Sequence, residues 1–250
     1  MPAKIIKIIK RGSISIEAFE DVRDQKTANL KAFCGIGGGS TVTYIESDSK
    51  IIVDTGFDFE GNMSEENVRR NNEILLRALL DFGLKPEDID IVFITHWHFD
   101  HFGNINLFKK SKILVSSPTF EQLKTHNINC INSERIVSAG DGENIADGVK
   151  VMYTPGHTKG HTSLVVETEN LKLIQYAGAG GMIRGIGPAK IIVAGDAVVS
   201  YSYYLKNTVW NYNADFFSME SALKSIEKIK QEAEYIIPGH GDIFKNIFSI

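Results

Sequence analysis

Three of the chain's seven histidines and an aspartate fall within six positions of the segment THWHFDHFGN, residues 95–104. Imidazole and carboxylate are the donors that borderline divalent cations take, so His96, His98, Asp100 and His101 point to metal chemistry. On an extended backbone, side chains two apart share a side. His96 and His98 are therefore expected to project together from the end of the apolar run IDIVFIT, as half of a tetrahedral site. Asp100 and His101 are adjacent and face another way, which suits a second ion better than the first.

Two ions need further donors from remote segments, including a carboxylate able to bridge them. Three positions match: His157 in TPGHTKGHTS, Asp196 in VAGDAVV and His240 in IIPGHGD. Each follows an apolar β-like run and sits beside glycine, where a loop at a strand end presents a side chain into a cleft. His161 shares the loop of His157. His157 is preferred because Pro155 and Gly156 fix and open the backbone just before it. His126 ends a helical stretch with no apolar strand behind it and is expected on the surface.

The elements that must position these residues alternate. KIIKIIK, SISIEAF, TVTYIES and KIIVDTG read as short strands, with the last two forming a hairpin over Ser47, Asp48 and Ser49. SEENVRRNNEILLRALLDFG predicts an amphipathic helix capped by Ser64, with Leu75, Leu79 and Phe82 on one side and Gly83 as its stop. IDIVFIT and KILVSS are apolar enough to be strands covered on both faces. SPTFEQLKTH predicts a helix with Ser117 as N-cap and Pro118 at its first position. VKVMYTPGHTKGHTSLVVE, KIIVAGDAVVS and YIIPGHG each place a loop donor at a strand end. A last helix carries Leu223, Ile226 and Ile229 inward and a Glu220–Lys224 pair outward. Residues 176–188, YAGAGGMIRGIGP, are expected to form a mobile loop between two strands. No Pro/Ser-rich linker or short repeat interrupts the chain, so residues 1–250 are expected to form one α/β domain.

At 250 residues with 43% hydrophobic and 23% charged residues, the composition is that of a soluble globular protein. The formal charge of −4 gives no basic excess for holding a nucleic acid. No run approaches a membrane span and the N-terminal segment mixes Lys with Ile, so a cytoplasmic protein is expected. Two cysteines, Cys34 and Cys130, are expected to be reduced and without a chemical role.

H-x-H-x-D-H after an apolar strand, with VDTG upstream and TPGHT, AGD and PGHG following in that order, resembles the metallo-β-lactamase superfamily over residues 35–245. The resemblance implies a four-layer αβ/βα sandwich with metals at one edge of two facing sheets. It implies that His96, His98 and His157 bind one metal, that Asp100, His101 and His240 bind the other, and that Asp196 bridges them. Asp54 of VDTG is implied to hydrogen-bond and orient a ligand. The expected cofactors are two Zn²⁺, with Fe or Mn as the alternatives.

The expected reaction is hydrolysis of a small ester, lactone, thioester or phosphoester by a hydroxide shared between the two ions. Asp100 then orients that hydroxide or passes its proton to the leaving group. Lactone-opening relatives often carry a tyrosine three positions after the bridging aspartate, where this chain has Val199, so lactonase activity is open but not favoured. Aromatic residues within 198–217 either line a pocket beside Asp196 or belong to the core. The competing expectation is a mononuclear iron oxidoreductase acting on sulfur compounds through His96, His157 and Asp196. The expected partner is a small-molecule substrate, and a homodimer is compatible with every reading.

Overall fold

The computed structural model describes residues 1–14, 38–58, 64–125, 133–177 and 180–248, with backbone alone for 171–177 and 180–186. Cys34, Cys130, His126 and nearly all of SISIEAF lie outside the described residues. The chain runs through β1 (Ile5–Lys10), β2 (Val42–Glu46), β3 (Lys50–Val53), α1 (Glu65–Asp81), β4 (Ile91–Phe93), α2 (Phe99–Phe102), β5 (Lys112–Val115) and α3 (Ser117–Thr125). It continues through β6 (Ile136–Ser138), β7 (Asn144–Ala146), β8 (Val149–Tyr153), β9 (Thr162–Thr168), β10 (Leu171–Ala177), β11 (Gly180–Ile186) and β12 (Ala189–Gly195). Last come α4 (Tyr201–Leu205), α5 (Met219–Glu232), β13 (Tyr235–Pro238) and β14 (Phe244–Lys245).

These strands make two mixed sheets, one of order β11-β10-β1-β2-β3-β4-β5-β6 and one of order β14-β13-β12-β9-β8-β7. Strand alternation decides what each face covers. Ile51, Val53, Ile91, Phe93 and Leu114 turn inward against Val149, Val151, Leu164, Ile191 and Val193 of the other sheet. Their neighbours Ile52, Val92, Ile113 and Val115 turn outward onto Leu75 and Leu79 of α1 and Leu123 of α3. On the far side Ile192, Ala194 and Ile236 meet Ile229 of α5 and Tyr204 of α4. Helices thus cover both outer faces, which is why the central strands read as unbroken apolar runs.

Local signals are mostly borne out. Ser64 accepts from Asn67 N at 3.2 Å and caps α1, and Gly83 follows at φ 71°. Glu220 and Lys224 pair at 2.6 Å, whereas Leu223 is only partly buried. The cap of α3 is Ser116, one residue earlier than expected: its hydroxyl accepts from Thr119 N at 3.2 Å while also donating to Gly160 O. The glycine-rich stretch corrects the sequence reading. Most of it is strand, because β10 and β11 pair antiparallel from Leu171 opposite Ile186 to Ala177 opposite Gly180. Glycine weakens a strand, but β11 lies at the edge of its sheet, where it needs only one partner.

The topology gathers strand ends. β3 and β4 are parallel, as are β12 and β13. β8 and β12 both run antiparallel to β9, so the C-terminal ends of β8, β12 and β13 share one rim. Thr162 N donates to Thr95 O at 2.9 Å and Thr41 N to Gly239 O at 2.7 Å, which ties the rims of the two sheets together.

Candidate metal centre

Every residue singled out for metal chemistry arrives at that tied rim. His96, His98, Asp100 and His101 follow β4, His157 follows β8, Asp196 follows β12 and His240 follows β13, and all seven are buried. The route taken by the first two differs from the expected one. β4 ends at Phe93, so His96 and His98 lie on a bend instead of a strand, and Asp100 and His101 lie on α2. Convergence comes from the bend, with the two rings turning different nitrogens inward.

Three imidazole nitrogens meet first: His98 Nδ1 lies 3.0 Å from His96 Nε2 and 2.9 Å from His157 Nε2. Asp196 Oδ2 stands 3.4 Å from His157 Nε2 and 4.0 Å from His96 Nε2. A second group surrounds the other oxygen of Asp196, which is 3.3 Å from His101 Nε2 and 3.4 Å from His240 Nε2. Asp100 Oδ2 closes it at 3.3 Å from His240 Nε2 and 3.7 Å from His101 Nε2. Donors bonded to one tetrahedral zinc at roughly 2.1 Å stand about 3.4 Å from one another, so each group has the spacing of a four-donor shell.

Hydrogen bonding behind the rings fixes which nitrogen is free. Thr95 gives its one hydroxyl proton to Asp54, 2.9 Å from Oδ2, so it accepts from His96 Nδ1 at 3.1 Å and leaves Nε2 bare. His240 Nδ1 donates to Ser13 O at 2.7 Å and His101 Nδ1 to Asp54 Oδ2 at 2.7 Å. Asp54, held at φ 57°, therefore steadies two ligand positions at once, through His101 and through Thr95. His98 Nε2 faces both oxygens of Asp215 at 3.1 Å, a partner for which the sequence offered no motif.

Two bare nitrogens 3.0 Å apart repel unless a cation lies between them. Among the described residues, both oxygens of Asp100 and of Asp196, with Nε2 of His101 and of His240, are also buried with no hydrogen-bond partner, facing only one another. A buried polar group without a hydrogen bond costs about 1–3 kcal/mol, so six gathered in one cleft fit a divalent metal centre. Two glycines allow the approach. Gly195 adopts φ 51°, and a Cβ on Gly239 would strike Asp196 Oδ1.

Charge divides the two groups. Burial, with the neighbouring imidazoles of His101, His98 and His157, holds His96 well below the usual histidine range. Burial also lowers His157 to about 4. In the other group burial is outweighed by carboxylates: Asp54, Asp196 and Asp100 hold His101 well above its usual range, and Asp196 and Asp100 raise His240 to about 9. The cations of His101 and His240 in turn overcome burial at Asp196 and hold it well below the carboxylate range.

His161 lies behind the site. Its Nδ1 meets Thr154 Oγ1 at 2.9 Å, its Nε2 accepts from Ala197 N at 3.2 Å, and its ring packs 5.0 Å from that of His96. It braces the turn that carries Asp196. His161→Ala would leave Ala197 N–H buried and unpaired, and is expected to cost about 2 kcal/mol in urea unfolding of the metal-free protein. The aromatic stretch divides as well: Tyr204 and Trp210 are buried, while Tyr201, Tyr212 and Phe217 are exposed.

A family model for the metallo-beta-lactamase superfamily matches residues 35–117, the span that carries VDTG and H-x-H-x-D-H. Over that span the chain is similar to the metallo-β-lactamase superfamily. It is 32% identical to an N-acyl homoserine lactonase of Bacillus cereus, over 51% of this chain and 57% of that one. It thus matches less than two thirds of that relative's length. It is 29% identical to metallo-beta-lactamase domain-containing protein 1 of Xenopus laevis, over 83% of this chain and 72% of that one. Among solved structures, a quorum-quenching N-acyl homoserine lactone lactonase superposes with a TM-score of 0.62 at 22% identity, covering 97% of this chain and 93% of that one. The last likeness establishes the fold, the αβ/βα sandwich of the superfamily.

Proposed function

We propose that the chain is a metal-dependent hydrolase of small molecules, with a lactone or related ester as its first candidate substrate. The observation that carries this reading is a single buried carboxylate, Asp196, whose two oxygens each face a separate set of donors. One set is His96, His98 and His157, the other Asp100, His101 and His240, and together they are proposed to hold two zinc ions. Bound there, divalent ions supply Lewis acidity and lower the pKa of water to near 7.

The chain's own residues do the rest. Asp100, whose two oxygens make no hydrogen bond among the described residues, would take a proton from the attacking water and pass it to the departing oxygen. In that step the acyl carbon–oxygen bond breaks, the water oxygen joins the acyl carbon, and the alkoxide leaves as an alcohol. The likeness to N-acyl homoserine lactonases favours a lactone substrate. Val199 still separates this chain from lactonases that place a tyrosine there, since it is buried against Trp210. No phenol reaches the substrate from that position, so polarising the carbonyl would be left to the Lewis acidity of bound ions, while Asp100 carries the proton.

The test is to strip the protein with chelator, assay it on a panel of lactones, thioesters and phosphodiesters, and add back zinc, manganese or iron. About two ions per chain and lactone hydrolysis restored by zinc are expected. One iron per chain with oxygen uptake, or activity indifferent to metal, overturns the proposal.

A further inference from the structure

We propose that Asp215 is a positioning residue that holds the His98 ring with Nδ1 turned into the cleft, and that one of the two metal positions depends on it. This rests on the metal reading above. His98 is the ligand candidate that turns Nδ1 toward the shared centre, where His96, His101, His157 and His240 turn Nε2. Its outer nitrogen lies 3.1 Å from each oxygen of Asp215, 117 residues away in the chain. A carboxylate only accepts, so the proton of His98 must sit on Nε2 and the lone pair on Nδ1.

Asp215 is itself held on both sides. Its Oδ2 accepts from Trp97 Nε1 at 2.8 Å, which ties it to the bend that carries His96 and His98. Two residues on, Phe217 N and Ser218 N both donate to Gly156 O, at 3.0 and 3.2 Å, beside His157. Ser218 caps α5 by accepting from Ser221 N, and Ser225 Oγ of the same helix donates to Pro155 O at 2.7 Å. Asp215 therefore spans the loops of two ligands of one donor set, with α5 as the fixed support. It makes no contact with the other set among the bonds described. A carboxylate behind a ligating histidine selects the tautomer and orients the ring, and its removal typically costs 10–100-fold in metal affinity.

The experiment titrates metal-stripped wild type, Asp215→Ala, Asp215→Asn and Trp97→Phe with cobalt(II) against a competing chelator, following the visible absorption of the bound ion. Wild type is expected to take two ions. In Asp215→Ala the affinity for one of them should fall 10–100-fold while the other stays within about twofold. Asp215→Asn, isosteric and still able to accept through its amide oxygen, should lie between, and keeps the test valid if the alanine variant fails to fold. Trp97→Phe removes only the indole bond and should stay within about threefold of wild type for both ions. The inference is overturned if the Asp215 variants bind both ions as wild type does, or if Trp97→Phe reproduces the loss. If wild type itself takes no cobalt, it is the proposed function that fails.

Discussion

Asp196→Asn is expected to lower kcat/KM on the best substrate by on the order of 10²–10³-fold and to reduce the metal content from two ions per chain to one or none. Asparagine keeps the shape of the side chain, so the loss would come from charge and from donor count. Asp196 Oδ1 stands 3.3 Å from His101 Nε2 and 3.4 Å from His240 Nε2, while Oδ2 stands 3.4 Å from His157 Nε2. An amide can offer its one oxygen to only one of these sets, and its NH₂ would then point protons at the other. The buried site also loses the one negative charge that faces both sets, which raises the cost of holding two dications in a low-dielectric cleft. Elemental analysis of the purified variant separates the two effects. Full metal content with lost activity would mean that the carboxylate acts on substrate; full content with full activity would remove it from the centre.

Much of this centre could be read without coordinates because its donors sit where local sequence speaks loudly. His157, Asp196 and His240 each follow a strand whose apolar run is explicit, and each has a glycine neighbour that opens the turn. The sheets then bring those turns to one rim without further information. Strand alternation also placed His96 and His98 together, but for a reason that does not hold: the strand stops at Phe93, and a bend turns the Nε2 of one ring and the Nδ1 of the other to the same point. Asp215 and Thr95 could not be found that way. Asp215 has no motif around it in NYNADFF and meets His98 only through the docking of the segment before α5 onto Gly156. Residues 180–186 failed in the opposite direction, since a local rule that glycine marks a loop was overridden by pairing with β10.

The two donor sets differ in how they hold protons, and this asymmetry yields the second large effect. In the metal-free protein at pH 7, His240 at about 9 and the raised His101 carry their protons, whereas His157 at about 4 and the lowered His96 do not. An ion entering the set of Asp100, His101 and His240 must displace about two protons, and an ion entering the other set about none. Calorimetric zinc titrations in buffers of different ionisation enthalpy are expected to show that split between the two binding steps. Equal release at both steps would contradict the assigned protonation. Affinity for the proton-releasing step should fall by about tenfold per proton for each pH unit below the histidine pKa values, so acidification empties that position first.

Folding linkage gives the same division an independent measure. For His240 the folded value lies above the unfolded one, near 6.5. Its stabilising contribution is complete below about pH 6.5 and is lost as pH rises through about 9. For His157 the folded value lies below the unfolded one, so its contribution is present above about pH 6.5 and is lost as pH falls toward about 4. Each spans about 3 kcal/mol at its limit. Urea unfolding of the stripped protein should therefore peak in stability near neutral pH and fall on both sides, and His240→Ala should lessen the alkaline decline while leaving the part that His101 contributes.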